Sequence, residues 1–181
     1  MQCTRQILAE VLASFPLRHD KNHGVSHWAR VLANGRELAL RADVRTDVVE
    51  LFALLHDSQR LNEGVDREHG ARAAAFVLDL SKRGVIVLGV EELNLLQYAC
   101  RFHSAGLLEA PLIVQICWDA DRLDLGRVGI EPLVNRLSTD YAKDPDFFNL
   151  ATKRGRARVI PQLVCDEWLI EWTGSLARVK E

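Results

Sequence analysis

No two of the four cysteines (Cys3, Cys100, Cys117, Cys165) form a CxxC pair, no unbroken apolar run nears membrane length, and the formal net charge is only -2. Each absence excludes something. Scattered cysteines, three of them inside helical apolar patterns, argue against a disulfide framework or a thiolate zinc site and for buried thiols in a reducing compartment. A bilayer span needs roughly 18 consecutive apolar residues. The N-terminal apolar run is interrupted by Arg5 and Glu10, so neither a membrane partner nor a signal peptide is expected. The small net charge supplies no field to draw the chain onto nucleic acid. The basic run Lys153-Arg154-Gly155-Arg156-Ala157-Arg158 has no interleaved aromatics and reads as a solvated face. Nucleic acid is therefore not an expected partner, and the expected location is cytoplasmic. Internal repeats and low-complexity tracts are also missing.

What is present is the makeup of a globular domain large enough to bury a core: 181 residues, 48% hydrophobic and 27% charged. Apolar residues recur at three- and four-residue intervals almost throughout, which predicts an all-α fold. Helices are expected from Thr4 to Phe15, Ser26 to Arg41, Thr46 to His56, near His69 onward, Glu91 to Phe102, Pro111 to Leu125, and Ile160 to Val179. The last carries Leu163, Val164, Trp168, Trp172 and Leu176, a set suited to the core or to a homo-oligomer interface. The run Val85-Ile86-Val87-Leu88 is β-prone but has no partner strand, so it reads as an extended linker. Between Gly129 and Leu150 the periodicity loosens. The expected organisation is a helical domain over 1–130 with a helical C-terminal extension, 131–181, packed on it as one compact domain.

Three polar features stand where apolar residues should be. His56-Asp57 closes a helix whose preceding residues, Leu51-Phe52-Ala53-Leu54-Leu55, are apolar on all sides. Such a helix is buried, and an imidazole and a carboxylate at its end are costly unless something satisfies them. Asp121 shares a helical face with Val114, Cys117, Trp118 and Leu125, whereas Asp119 and Asp124 fall on mixed faces with easier solvent exits. His27 precedes Val31 and Leu38 at helical intervals and faces inward. Two imidazoles and two carboxylates make a mixed N/O set that suits one divalent ion (Mn, Fe, Co, Ni, Mg or Zn) without selecting among them.

The order Ser26-His27-Trp28-Ala29-Arg30-Val31, then Leu54-Leu55-His56-Asp57, then Asp119-Ala120-Asp121-Arg122-Leu123-Asp124 resembles the HD-domain superfamily of metal-dependent phosphohydrolases. The matching segment runs from about His23 to Gly129. The resemblance implies an HD-domain-like helical bundle, with metal ligation by His27, His56, Asp57 and Asp121. It further implies hydrolysis of a small phosphorylated metabolite or nucleotide by metal-activated water.

In two-metal relatives, further histidines between the HD pair and the last Asp hold the second ion, and His69 and His103 stand in that order. The expectation is one ion, with His69 and His103 lining the substrate pocket; the variant is a second ion held by those two and bridged by Asp57. The segment Phe102-His103-Ser104-Ala105-Gly106 lacks the HHExxDGxGYP-like element of the HD-GYP phosphodiesterases, which argues against cyclic-dinucleotide cleavage. Arg60 and Arg122 are the first candidates for phosphate, with Arg30, Arg101 and Arg127 behind them. Glu63, Asp66 or Glu68 is placed to orient the water or protonate a leaving group, Glu63 being the first choice beside Asp57 and Arg60. The alternatives are a dinuclear-iron oxygenase of HD type, or a non-catalytic regulatory domain that keeps the metal as a structural element. His23, four residues before His27, is a metal-site or loop-cap candidate, and His19 is expected at the surface.

Overall fold

The computed structural model describes residues 4–172 and 177–179. Its elements are α1 (Thr4–Ser14), α2 (Val25–Arg41), α3 (Asp47–Leu55), α4 (His69–Lys82), α5 (Val90–Phe102), α6 (Leu112–Arg122), two 3-10 turns (Leu125–Val128 and Val134–Arg136), α7 (Asp140–Lys143), α8 (Pro145–Ala157) and α9 (Gln162–Trp168). A short antiparallel pair follows, β1 (Ile170–Trp172) against β2 (Ala177–Val179), with Glu171 opposite Arg178. The fold is an all-α bundle. No helix among the described residues is long and apolar enough to cross a membrane.

The bundle is built around α3, which is buried from Val48 to Leu55, as a helix apolar on every side must be. α2, α5 and α6 pack around it, and α4 lies along α5. Trp28, Phe52 and Trp118 are fully buried in the shared core, and the Trp118 indole donates to Ala99 O at 3.0 Å, tying α6 to α5. Cys100, Cys117 and Cys165 are buried free thiols; Cys3 lies outside the described residues. Arg36 on α2 pairs with Glu50 on α3 at 2.8 Å and with Glu167 on α9 at 2.6 Å, pinning α9 to the bundle. The Val85–Leu88 run forms no strand; Ile86 anchors it in the core while Val87 is exposed.

Two expectations are corrected. The helix expected over residues 160–179 stops at Trp168, because Leu169 takes a left-handed conformation (φ 52°) and the chain turns into β1. Val164 and Trp168 are buried as expected, but Leu163 is 72% exposed, Trp172 stands in a strand, and Leu176 lies outside the described residues. In the loosened region the chain instead forms α8, capped by Asp144, whose carboxylate accepts from Phe147 N at 3.0 Å, with Pro145 at its first position. α8 packs on the 3-10 turn Leu125–Val128, and its Gly155 sits so close that an added Cβ would lie 2.9 Å from Asp124 Oδ1.

A second close approach joins α4 to α5. A Cβ on Gly70 would lie 2.6 Å from Arg101 O and 2.8 Å from Cys100 O, both backbone atoms that cannot swing away. Gly70→Ala, which in an open helix would gain about 1 kcal/mol, is expected instead to destabilise the protein by about 1–3 kcal/mol. It should also spread the starts and ends of these helices where His69 and His103 stand. Urea denaturation checks it: an unchanged or raised midpoint would show that the two helices part without cost.

Candidate metal centre

The beginnings of α2 and α4 meet the ends of α3, α5 and α6 at one end of the bundle. His27 is the third residue of α2 and His69 the first of α4; His56 and His103 directly follow α3 and α5; Asp121 sits in the last turn of α6. The bundle thus brings His27, His56, Asp57, Asp121, His69 and His103 together, all of them expected from the sequence.

The histidine tautomers are fixed by acceptors that have no proton to give. His27 Nδ1 donates to Asp124 Oδ2 at 2.7 Å, His56 Nδ1 to Phe52 O at 3.0 Å, His103 Nδ1 to Cys100 O at 2.7 Å, and His69 Nδ1 to Asp66 O. In the neutral ring each Nε2 is then a lone-pair acceptor. Those nitrogens face one another: His27 and His56 at 3.0 Å, His69 and His103 at 2.8 Å. Between the pairs lies Asp57. Its Oδ2 is 3.5 Å from His27 Nε2 and 3.7 Å from His56 Nε2, while its Oδ1 is 3.3 Å from His69 and 3.5 Å from His103. Asp121 Oδ1 lies 3.3 Å from His27 and 3.8 Å from His56, and it is buried without a hydrogen-bond partner. Acceptors outnumber donors here: Arg60 Nη1 reaches Asp57 Oδ1 and His69 Nε2, while Asp121 Oδ1 is met by none. That donor set fits divalent cations, as two groupings: His27, His56 and Asp57 with Asp121 beside them, and Asp57, His69 and His103.

The electrostatics say the same. Burial and the Arg127 guanidinium oppose charge on His27, yet the carboxylates of Asp121, Asp124 and Asp57 outweigh them and raise its pKa to about 9. His56, equally buried, is driven down to about 3 by desolvation, against the pull of Asp57 and Asp121. Burial works to raise Asp57 and Asp121, but the surrounding imidazoles hold both carboxyls well below the usual range. Asp57 and Asp121 are thus held ionised at the centre of the site, the form in which carboxylates bind a cation.

Beside it opens a cavity of about 340 Å³ lined by His23, Asp57, Arg60, His69, His103, Ser104, Gly106, Asp121, Arg122, Leu125, Arg127, Val128 and Ile130. Arg60 Nη1 is 3.4 Å from Asp57 Oδ1 and 3.2 Å from His69 Nε2. Arg122 also reaches the cavity, but its donors are engaged by Arg136 O, Leu107 O and Ser138 Oγ. Glu63 does not line the cavity. Its carboxylate accepts from His23 Nδ1 at 2.8 Å, and His23 does. Asp66 is occupied by Arg72 and by Leu61 N; Glu68 and His19 are exposed.

Three residues carry more than the sequence assigned them. Asp119 and Asp124, expected to reach solvent, are fully buried. Asp124 accepts from His27 and from Arg30 (Nε at 2.7 Å, Nη2 at 3.0 Å), and Asp119 accepts from Ser138 N, Thr139 N and Thr139 Oγ1, each at 2.8 Å. Arg127 lies 3.9 Å from both Asp57 and Asp121 and donates to Asn22 O at 3.0 Å, holding the loop that presents His23. Arg30 is committed to Asp124, and Arg101 is exposed over the Phe102 ring.

No family model matches the chain, and no curated protein matches it. Among solved structures, a predicted HD superfamily hydrolase from an uncultured Thermotogales bacterium is similar, with 26% identity and a TM-score of 0.58 over 83% of this chain and 88% of that one.

Proposed function

From the premise that this is a protein of the HD-domain superfamily, we propose a metal-dependent phosphohydrolase that acts on a small phosphorylated substrate. The observation that carries the reading is Asp57, whose two oxygens each face a separate pair of imidazole nitrogens at 3.3–3.7 Å. His27, His56, Asp57 and Asp121 would hold one ion, and Asp57, His69 and His103 a second. The single-ion expectation rests on a thin supply of carboxylates near His103 and on the missing HHExxDGxGYP-like element; Asp57 Oδ1, 3.5 Å from His103 Nε2, supports the two-ion variant against the first of these. A bound divalent ion supplies Lewis-acid polarisation of a phosphoryl oxygen and lowers the pKa of water.

The chain's own residues do the rest. Asp124 and the three backbone carbonyls keep each imidazole turned so that Nε2 faces the centre. Arg60 and Arg127 line the cavity beside Asp57; Arg60 also holds Asn62 O and Gly64 O, and Arg127 holds Asn22 O and Asp124 O, so their remaining N–H groups would serve phosphate oxygens. His23 lines the cavity with its Nδ1 donating to Glu63, which leaves the Nε2 lone pair as the group that would accept a proton from the attacking water. Burial lowers the His23 pKa and so favours that neutral, accepting form. The dinuclear-iron oxygenase reading would use the same two imidazole pairs, but it gives the cavity guanidiniums no task. A purely structural metal leaves the open cavity beside Asp57 unexplained.

The test combines metal analysis of anaerobically purified protein with a panel of phosphate monoesters and nucleotides, with and without chelator. Bound divalent ions and chelator-sensitive phosphate release are expected. Arg60→Ala should raise KM about tenfold, the weight of one charge-assisted hydrogen bond, with metal content unchanged. Metal-free protein that is fully active, or loaded protein that turns over none of the panel, would end the proposal.

A further inference from the structure

The cavity has two unlike walls. One is the cationic floor beside Asp57. The other is the turn after α6, where residues 125–128 form a single 3-10 turn. Residues three apart on such a turn eclipse one another, so Leu125 and Val128 present aliphatic side chains to the cavity together while Arg127 between them points to Asp57 and Asp121. Gly129 then takes a left-handed conformation (φ 78°), the turn that brings Ile130 onto the same wall. Ile130 is 54% exposed there, and the exposed Leu133 and Val134 follow it. An aliphatic side chain left in water at a cavity mouth gains only when something apolar covers it. Among the described residues lining the cavity, Ser104 is the lone uncharged polar side chain besides the three histidines at the metal-centre end, and there is no Phe, Tyr, Trp, Asn or Gln. Against the wall of Leu125, Val128 and Ile130 the hydroxyls of a sugar or polyol would go unmet, and a base would find no amide to read its edge.

Resting on the function proposed above, we propose that the substrate is a phosphate monoester whose organic part is an uncharged, apolar group. That group lies against Leu125, Val128 and Ile130, and the phosphate lies at Arg60 and Arg127. The cavity volume of about 340 Å³ is at the small end for a ligand pocket and suits a short alkyl chain or a single ring.

The experiment uses Mn2+-loaded full-length protein and two matched series. The first is ethyl, propyl, butyl and pentyl phosphate, with glycerol 1-phosphate as the hydroxylated counterpart of propyl phosphate, followed by rate. The second is the corresponding alkylphosphonates, followed by calorimetric binding, which needs no turnover. Each added methylene should raise kcat/KM, and tighten phosphonate binding, by about threefold to fourfold. Propyl phosphate should exceed glycerol 1-phosphate by more than tenfold. Ile130→Asn, at an exposed position that folding does not depend on, should flatten both series while metal content and inorganic phosphate binding stay as they were. Hydrolysis of all esters at one rate, or a preference for glycerol 1-phosphate, overturns the apolar assignment and leaves the hydrolase standing. Chain-length-dependent phosphonate binding without hydrolysis of any ester does the reverse. Phosphonates that bind without regard to chain length, or not at all, overturn the assignment whatever the esters do.

Discussion

Asp57→Ala is expected to strip the protein of bound divalent ions and to lower phosphate release by roughly a thousandfold or more, the scale of losing several kcal/mol of transition-state stabilisation. Asp57 sets one carboxylate oxygen against each imidazole pair: Oδ1 faces His69 and His103, Oδ2 faces His27 and His56, and Arg60 and Arg127 stand within 4 Å. The helices should survive, because α3 is held by the apolar residues from Val48 to Leu55 rather than by the carboxylate after it. Elemental analysis beside circular dichroism separates the two effects. A variant with helices intact, full metal content and wild-type turnover would place the site elsewhere.

The second large effect is expected from a residue that touches no ion. Asp124 is fully buried between His27 and Arg30, and Arg30 Nη1 already lacks a partner. In Asp124→Ala the buried guanidinium keeps its charge and loses both remaining hydrogen bonds, which costs about 3–5 kcal/mol. For a chain of this size that lowers Tm by roughly 6–20 °C. Metal affinity should fall 10- to 100-fold as well, because nothing then fixes the His27 ring. Thermal unfolding of chelator-treated protein measures the first effect without the second. A metal-free Tm within a degree or two of wild type would mean that Arg30 finds water or another carboxylate. Asp124→Asn, which keeps the shape and one accepting oxygen, should unfold less readily than the alanine variant yet still bind metal weakly.

These two residues show where the sequence was legible and where it was not. Asp57 could be read because the five residues before His56 are apolar all round, so burial followed from composition alone. Asp121 could be read because its wheel neighbours are apolar. Asp124 could not. Helical spacing continued to Leu125 misplaces it, because α6 ends at Arg122 and a 3-10 turn follows from Leu125, so Asp124 leaves the helical face and turns toward α2. Asp119 lies within the helix, and its exit to solvent is closed by Ser138 and Thr139, some twenty residues on, which no local period reports. The end of the chain misled for the opposite reason. Val164 and Trp168 keep helical spacing with Trp172, and the pattern continues in sequence after the backbone has left the helix at Leu169. The cap of α8 was visible in Asp144-Pro145, but the mixed composition after Gly129 hid it.

The proposed metal ligands come from positions 27 to 121, and the hydrogen bond that orients the first of them spans 97 residues of chain. Loop closure over such distances is entropically expensive until the intervening helices have packed. No early hairpin of helices owns a complete set: α2 and α3 bring His27, His56 and Asp57, while α4, α5 and α6 bring His69, His103 and Asp121. The centre is therefore a certificate of completed folding, issued only when every helix from α2 to α6 is in register. A chain nicked between residues 58 and 68 would divide the certificate between two fragments, neither able to present both faces of Asp57 to its imidazoles. An ion that binds only the finished bundle draws the folding equilibrium toward it by mass action, by about 2.7 kcal/mol at a hundredfold excess over its dissociation constant.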